Sequence, residues 1–165
     1  MYEQFIGVRT YGANWTNGWT PIRNAIQKKT NRYGKLDLPL VVAVNVNGFR
    51  LNPIDEMQAL FGQEHVSVSF NNTENPTYSR ATNGAWLGPE GPRGKQCSGA
   101  WLCDKLSPYS LAKLGHTLYI NPWANLPLPE SALVMPTSKA VDGQIEKNEG
   151  SLFREILGLD PHWPE

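Results

Sequence analysis

A nearly unbroken run of apolar residues, rich in valine, occupies positions 38–46. A run without polar alternation is typical of a β-strand that is covered on both faces. The residues before it predict a helix, because Thr20-Pro21 is a start signal, apolar residues then recur on one helical face, and Gly34 ends the segment. Together with a weakly alternating strand at 3–9, these elements predict a βαβ unit whose two strands are parallel.

The rest of the chain predicts shorter strands and helices. Asn52-Pro53 repeats the start signal for a second helix that Gly62 stops, and residues 65–70 alternate like a half-buried strand. Further elements are predicted as an edge strand at 77–80, strands at 98–103 and 117–120, a helical turn within 107–114 and a last helix over 152–157 that Ser151 caps. The fold class is therefore mixed α/β in a single domain of residues 1–165. It has a βαβ core continued by antiparallel strands, long Gly/Pro-rich loops and a C-terminal helix.

Four connecting segments are predicted to lack regular structure. Gly-Pro breakers across 84–94 predict a long surface loop or lid, and residues 71–76 predict a turn. Four prolines within 121–136 predict a segment that runs extended over the surface. The polar stretch 138–150 is predicted to be a mobile segment before the last helix.

The charges are unevenly distributed along the chain although they cancel overall. Fifteen Lys and Arg balance fifteen Asp and Glu, so the total does not indicate a basic nucleic-acid binder or an acidic tail. Residues 1–50 nevertheless carry seven basic and two acidic residues, a net charge of +5, and residues 51–165 carry −5. Candidates for contact with phosphate or nucleic acid are Arg23, Lys28, Arg32 and Lys35. We favour the alternative that this helix face is solvated and pairs with acidic groups in the chain or on a partner subunit.

Several common chemistries lack their motifs in this sequence. The serine-hydrolase elbow, the phosphate loop and the dinucleotide pattern are absent, and no Asp-x-Lys or Glu-x-Lys pair of a metal-dependent nuclease occurs. Cys97 and Cys103 flank a predicted strand about 20 Å apart, too far for a disulfide, and no Cys/His spacing resembles a zinc site. We therefore expect two reduced thiols, no metal and no cofactor.

The sequence also bears on location. No apolar run approaches the roughly 20 residues of a membrane-spanning helix, and the N-terminus lacks the basic start and apolar region of a signal peptide. We expect a cytoplasmic protein without a membrane partner.

A few polar and aromatic residues are candidates for a ligand site. Asn45 and Asn47 follow the buried strand, at the end where open α/β sheets bind ligands, and tryptophans in loops can stack on a ligand. Candidate ligand-binding residues are Asn45, Asn47, Trp86, Arg93, His116 and Trp123. Structural roles are the favoured alternative: loop capping for the asparagines, loop anchoring for the tryptophans, and a structural role in place of acid–base chemistry for each of the three histidines.

Six stretches, taken in order, resemble the C-terminal portion of a family of uncharacterised bacterial proteins: 20–29, 32–45, 59–62, 84–89, 117–124 and 152–159. In longer relatives, the unit made of the helix, the Arg-Tyr-Gly-x-Leu segment that begins at Arg32 here, and the following strand looks like the closing αβ part of a restriction-endonuclease-like fold. The catalytic acids and lysine of that fold belong to strands upstream of this unit, and about twenty residues precede the helix here. The resemblance therefore implies a related scaffold without catalytic residues, of the kind found in mobile gene cassettes.

The leading hypothesis is a non-catalytic, oligomeric α/β protein that binds an unidentified ligand or protein partner. A shortened αβ sheet leaves an exposed edge or face, so we expect a homodimer or larger oligomer to cover it. One alternative is a nucleic-acid-binding or residual nuclease-like module that uses the basic helix. Another is a small-molecule enzyme with a site near Asn45 and His116.

Overall fold

A mixed β-sheet with its two longer helices packed on one face organises the chain, and the computed structural model describes residues 17–47, 52–69, 72–129, 134–141 and 144–163. In chain order the elements are α1 (Trp19–Thr30), β1 (Leu40–Val46), α2 (Pro53–Phe61), β2 (Glu64–Ser69), β3 (Asn72–Arg80), β4 (Leu87–Gly88), β5 (Gly91–Pro92), β6 (Cys97–Asp104), a 3-10 turn (Leu111–Lys113), β7 (His116–Ile120), β8 (Thr137–Val141), β9 (Gln144–Asn148) and α3 (Phe153–Ile156).

The main sheet has five strands in the order β1-β6-β7-β8-β9. β1 is parallel to β6 and β7 is parallel to β8, whereas the pairs β6–β7 and β8–β9 are antiparallel. This arrangement confirms the mixed α/β class. The connection between the parallel strands β1 and β6 contains α2. The predicted strand at 3–9 lies outside the described residues.

Helix α1 forms where the sequence predicts it, with different ends. It begins at Trp19, so Thr20 lies inside the helix and Gly18 takes the cap position, and it ends at Thr30 rather than at Gly34. Gly34 still has the left-handed conformation, with a φ of +60°, in the loop that follows. Two lysines in the last turn lie where cations interact favourably with the helix dipole.

Helix α2 follows its predicted signals closely. The Asn52 side-chain oxygen accepts a hydrogen bond from the Asp55 amide at 2.9 Å, which satisfies one of the free N–H groups of the first turn. Gly62 ends the helix with a φ of +99°, a conformation that favours glycine. In the described part of the chain, no helix is long and apolar enough to cross a membrane.

The prediction that β1 is covered on both faces is wrong for the described residues. Val42 is buried against α1 and α2, whereas Val41 is 36% exposed and Ala43 is also exposed on the opposite face. Helices α1 and α2 pack on the face that carries Val42. The valine-rich sequence of β1 therefore reflects strand propensity as well as burial.

The prediction of a surface loop across 84–94 is also wrong for its first half. The Ala85 and Trp86 amides donate to the carbonyls of Ala59 and Leu60, at 2.7 and 2.9 Å. This segment therefore packs against the C-terminal end of α2. Gly84 makes the approach possible, since a Cβ there would lie 2.4 Å from a backbone oxygen. The short β4–β5 hairpin brings its turn back to the surface.

The polar stretch 138–150 forms strands rather than an irregular segment. Most of it belongs to β8 and β9, which complete the main sheet as an antiparallel pair, and likewise β3 covers most of the predicted turn at 71–76. The last helix is reduced to α3. Leu152, not Ser151, takes its cap position, and the Glu155 carboxylate accepts a hydrogen bond from the Leu152 amide at 2.8 Å.

Candidate functional site

The candidate ligand-binding residues lie on two opposite faces of the sheet. Asn45 and His116 share one face, because both are register partners of Cys103 on β6. Trp86 and Trp123 belong to the core on the other face, where α1 and α2 pack. The structure therefore does not bring these candidates together in one site.

The strand-end asparagines behave as loop residues. The Asn45 side chain donates to the Leu106 carbonyl at 3.0 Å and accepts from the Leu106 amide at 2.7 Å, which ties β1 to the loop after β6. Asn47 is exposed at the end of β1. The amide group of Asn45 is thus already occupied within the chain.

The candidates from the Gly/Pro-rich region and the neighbouring loop serve the core. Trp86 is fully buried and meets Phe61 edge to face at 5.5 Å, and Trp123 meets the same ring at 6.1 Å. The Arg93 guanidinium donates to the Gly84 carbonyl, with 3.0 Å from Nε. These contacts match the alternative in which the tryptophans anchor loops to the body of the protein.

His116 is buried and forms an aromatic cluster with Trp101 and Phe153, which are both partly exposed. Its Nδ1 accepts a hydrogen bond from Trp101 Nε1 at 3.2 Å, and Phe153 stacks on Trp101 with ring centres 5.2 Å apart. Burial lowers the pKa of His116 below its usual range. The Nε2 atom has no hydrogen-bond partner among the described residues. The neutral form of His116 is therefore favoured, and its ring helps to dock α3 through Phe153.

The cysteines are free and buried, as predicted. Burial raises the pKa of Cys103 to about 11 and also raises that of Cys97, so neither thiol is ionised at neutral pH. No group of three or more His, Cys, Asp or Glu residues able to hold a metal ion occurs in the described ranges.

The four basic candidates divide into one engaged residue and three exposed ones. The Arg23 guanidinium lies 4.8 Å from the centre of the Trp19 ring and donates to the Asn83 carbonyl at 3.2 Å. Lys28, Arg32 and Lys35 are exposed. Within the described part of the chain they form no ion pair, so the acidic partner expected inside the chain is not found there.

A buried carboxyl, which the sequence reasoning missed, lies beneath α2. Glu56 is 7% exposed and Tyr119 of β7 is 2% exposed, and the Tyr119 hydroxyl donates a hydrogen bond to Glu56 Oε2. Burial raises the pKa of Glu56, although the Tyr119 hydrogen bond and the positive charge of Lys147 partly oppose it. The sequence held a signal for this position, because Glu56 precedes Leu60 by four residues and so shares its buried helix face.

A pocket of about 220 Å³ lies beside this pair, between α2, the base of the β2–β3 hairpin, β7 and β9. We call it the hairpin pocket. Its lining includes Ile54, Met57 and Ile145 as apolar residues and Arg80, Tyr119 and Lys147 as polar ones. None of these residues was a site candidate from the sequence, because they come from four elements that are distant in the chain.

The β2–β3 hairpin carries an exposed apolar surface next to this pocket. The register places Val66 opposite Tyr78 and Glu64 opposite Arg80, so these four side chains share one face. The register is irregular between Ser67 and Ser69, and Val68 follows Val66 by two residues along β2, the spacing of side chains on the same face of a strand. We call Val66, Val68 and Tyr78 the hairpin face. They are 54%, 54% and 65% exposed, in contrast to the half-buried strand that the alternation at 65–70 predicted.

Comparisons of the chain with models of protein families, with curated proteins and with solved structures found no match. The resemblance to a restriction-endonuclease-like scaffold therefore stays a prediction.

Proposed function

We propose that the protein is a non-catalytic binding protein that acts as a homodimer, with the β2–β3 hairpin as its self-association surface. The observation that carries this proposal is the hairpin face, three large apolar side chains each more than half exposed. Contiguous exposed apolar surface in a folded protein commonly marks an interaction site.

The hairpin has too few strands to be stable by itself. β2 and β3 form a separate two-stranded sheet, and among the described residues no strand pairs with the outer edge of either. An isolated two-stranded hairpin is marginally stable in water, whereas three or more strands with a common apolar face are stable. Addition of strands from another chain supplies what the hairpin lacks.

A second copy of the chain fits this edge better than an unrelated partner, because β2 is complementary to itself. β3 contains Pro76, which lacks an N–H donor, and β2 contains no proline. If two copies of β2 pair antiparallel about a two-fold axis at Ser67, Val66 of each copy lies opposite Val68 of the other. The product is a four-stranded sheet with both hairpin faces on one side.

Cross-linking at the proposed axis tests this arrangement. Directly opposed residues of antiparallel strands have Cα atoms about 4.5–5.5 Å apart, within the range of a disulfide. We expect Ser67→Cys to form a covalent dimer under mild oxidation at micromolar concentration. The native cysteines are buried and do not interfere.

The matched control is Ser79→Cys, which places a thiol at another exposed serine position, on β3. Random collision cross-links both variants alike, whereas β2 pairing cross-links Ser67→Cys selectively. Equal cross-linking of the two variants, or none in either, contradicts the proposed axis. The double substitution Val66→Thr and Val68→Thr is expected to weaken the dimer, because each change adds a hydroxyl to the contact.

The second candidate function is phosphate or nucleic-acid binding at the C-terminal end of α1. The observation that favours it is the exposure of Lys28, Arg32 and Lys35 without an ion pair in the described ranges, next to Tyr33, which is 53% exposed. A gel-shift assay at low salt tests it. Binding that falls steeply with salt, and that is lost in the triple variant with Gln in place of Lys28, Arg32 and Lys35, supports this function. An unchanged mobility of the nucleic acid in the presence of the native chain rejects it. Lys113→Gln, another exposed lysine, is the control.

A further inference from the structure

The hairpin pocket combines a small volume with walls that are mainly apolar. Its 220 Å³ correspond to the liquid volume of roughly seven water molecules, which suits a molecule about as large as benzoate. Ile54 and Met57 of α2 and Ile145 of β9 supply the apolar lining. A ligand body without hydrogen-bonding groups is therefore favoured against these walls.

Two polar groups of the pocket, those of Arg80 and Tyr119, are held by contacts within the protein. Arg80 donates from Nη1 to the Gly62 carbonyl at 3.1 Å, and its Nη2 lies 3.8 Å from Glu64 Oε2. That separation is longer than a charge-assisted hydrogen bond, so guanidinium donors remain for a ligand. The Tyr119 hydroxyl, in turn, is held by Glu56.

The balance of charge in the pocket favours an anion. Arg80 and Lys147 contribute two positive charges to its lining, and Glu64 contributes one negative charge. Lys147 forms no ion pair in the described part of the chain. Three further acids, Glu56, Asp55 and Asp104, lie near one another outside the lining. Burial raises the pKa of Glu56, which favours its neutral form.

We propose that the hairpin pocket binds a small monocarboxylate with an apolar body. The carboxylate lies between Arg80 and Lys147, and the apolar body packs on Met57 and Ile145. Glu56 is a positioning residue, since it holds the Tyr119 hydroxyl and does not itself line the pocket. This inference goes beyond the proposed dimer and does not depend on it, because the pocket is formed within one chain.

Titration of the full chain with two matched probes tests the proposal, with binding followed by NMR chemical shifts or calorimetry. Benzoate and benzyl alcohol have the same ring, and one carries a carboxylate. We expect benzoate to bind about tenfold or more tightly than benzyl alcohol, because charge-assisted hydrogen bonds form with benzoate alone. Equal affinities, or no binding of benzoate at millimolar concentration, overturn the proposal.

Variants of the chain then locate the site. Arg80→Gln and Lys147→Gln are each expected to weaken benzoate binding by about tenfold, whereas Lys113→Gln, outside the pocket, leaves it unchanged. Binding of benzoate that both pocket variants retain in full contradicts the site. Light scattering on the same samples reports the oligomeric state separately. A monomer that binds benzoate refutes the dimer alone, and a dimer that does not bind benzoate refutes the pocket alone.

Discussion

Substitution of Tyr119 by Phe tests how the buried Glu56 carboxyl is accommodated. Phenylalanine keeps the ring and its packing and removes the hydroxyl that donates to Glu56 Oε2. The carboxyl is then left buried without this donor, which costs about 1–3 kcal/mol for a buried polar group and more for a charged one. We therefore expect Tyr119→Phe to lower the free energy of unfolding by about 2 kcal/mol at neutral pH.

The pH dependence of this loss separates the carboxyl from general packing. Because the folded-state pKa of Glu56 is raised, its ionisation lowers stability as pH rises from about 4.5 towards the folded pKa. Loss of the Tyr119 donor raises that pKa further, so the loss in Tyr119→Phe grows with pH over this window. Urea unfolding measured between pH 4 and pH 7 follows both effects.

Glu56→Gln is the matched control for this prediction. The amide cannot ionise, and its oxygen still accepts from Tyr119, so we expect greater stability than the native chain at neutral pH. A Tyr119→Phe chain whose free energy of unfolding at pH 7 stays within about 0.5 kcal/mol of the native value, the range of neutral surface substitutions, contradicts a role for this hydrogen bond in accommodating Glu56. A Glu56→Gln chain that is less stable than the native chain at pH 7 contradicts a cost of ionising Glu56 in the folded state.

Two further predictions concern buried positions outside the pocket. Since the folded pKa of His116 is lowered, the unfolded chain binds more protons below pH 6.5, and stability should fall as pH decreases through that value. In His116→Gln the amide oxygen can still accept from Trp101, and the side chain cannot titrate. The urea midpoint of this variant should therefore lack the fall towards low pH that His116 causes. Gly84→Ala should destabilise the chain by about 2 kcal/mol in thermal or urea melts, because the added Cβ meets backbone atoms. Gly115→Ala is the control, because its Cβ faces open space, and it should change stability by less than about 0.5 kcal/mol. Equal effects of the two alanines contradict the close approach at Gly84.

The sequence predicted the elements that local interactions determine. Asn52-Pro53 and Gly62 set both ends of α2 through hydrogen bonds and backbone conformation within a few residues, and both predictions were correct. The strand at 98–103 was also correct, because β6 is buried along nearly its whole length and its composition reflects that environment.

The sequence did not predict which surfaces pack together. Gly-Pro breakers at 84–94 indicate turns, yet Trp86 is buried because its amide pairs with Leu60, a partner 26 positions earlier in the chain. Likewise, the alternation at 65–70 predicts a strand, and it cannot show that nothing in the described chain covers Val66. The candidate site was missed for the same reason, since the hairpin pocket needs four elements to come together.

Light scattering of the native chain across a dilution series tests the central claim, self-association through the β2–β3 hairpin, most directly. The proposal predicts a particle of twice 18.4 kDa at micromolar concentration. It further predicts dissociation when Val66 and Val68 are both replaced by Thr, and no dissociation when the exposed Tyr109 is replaced by Ser. A native chain that remains at 18.4 kDa throughout contradicts it.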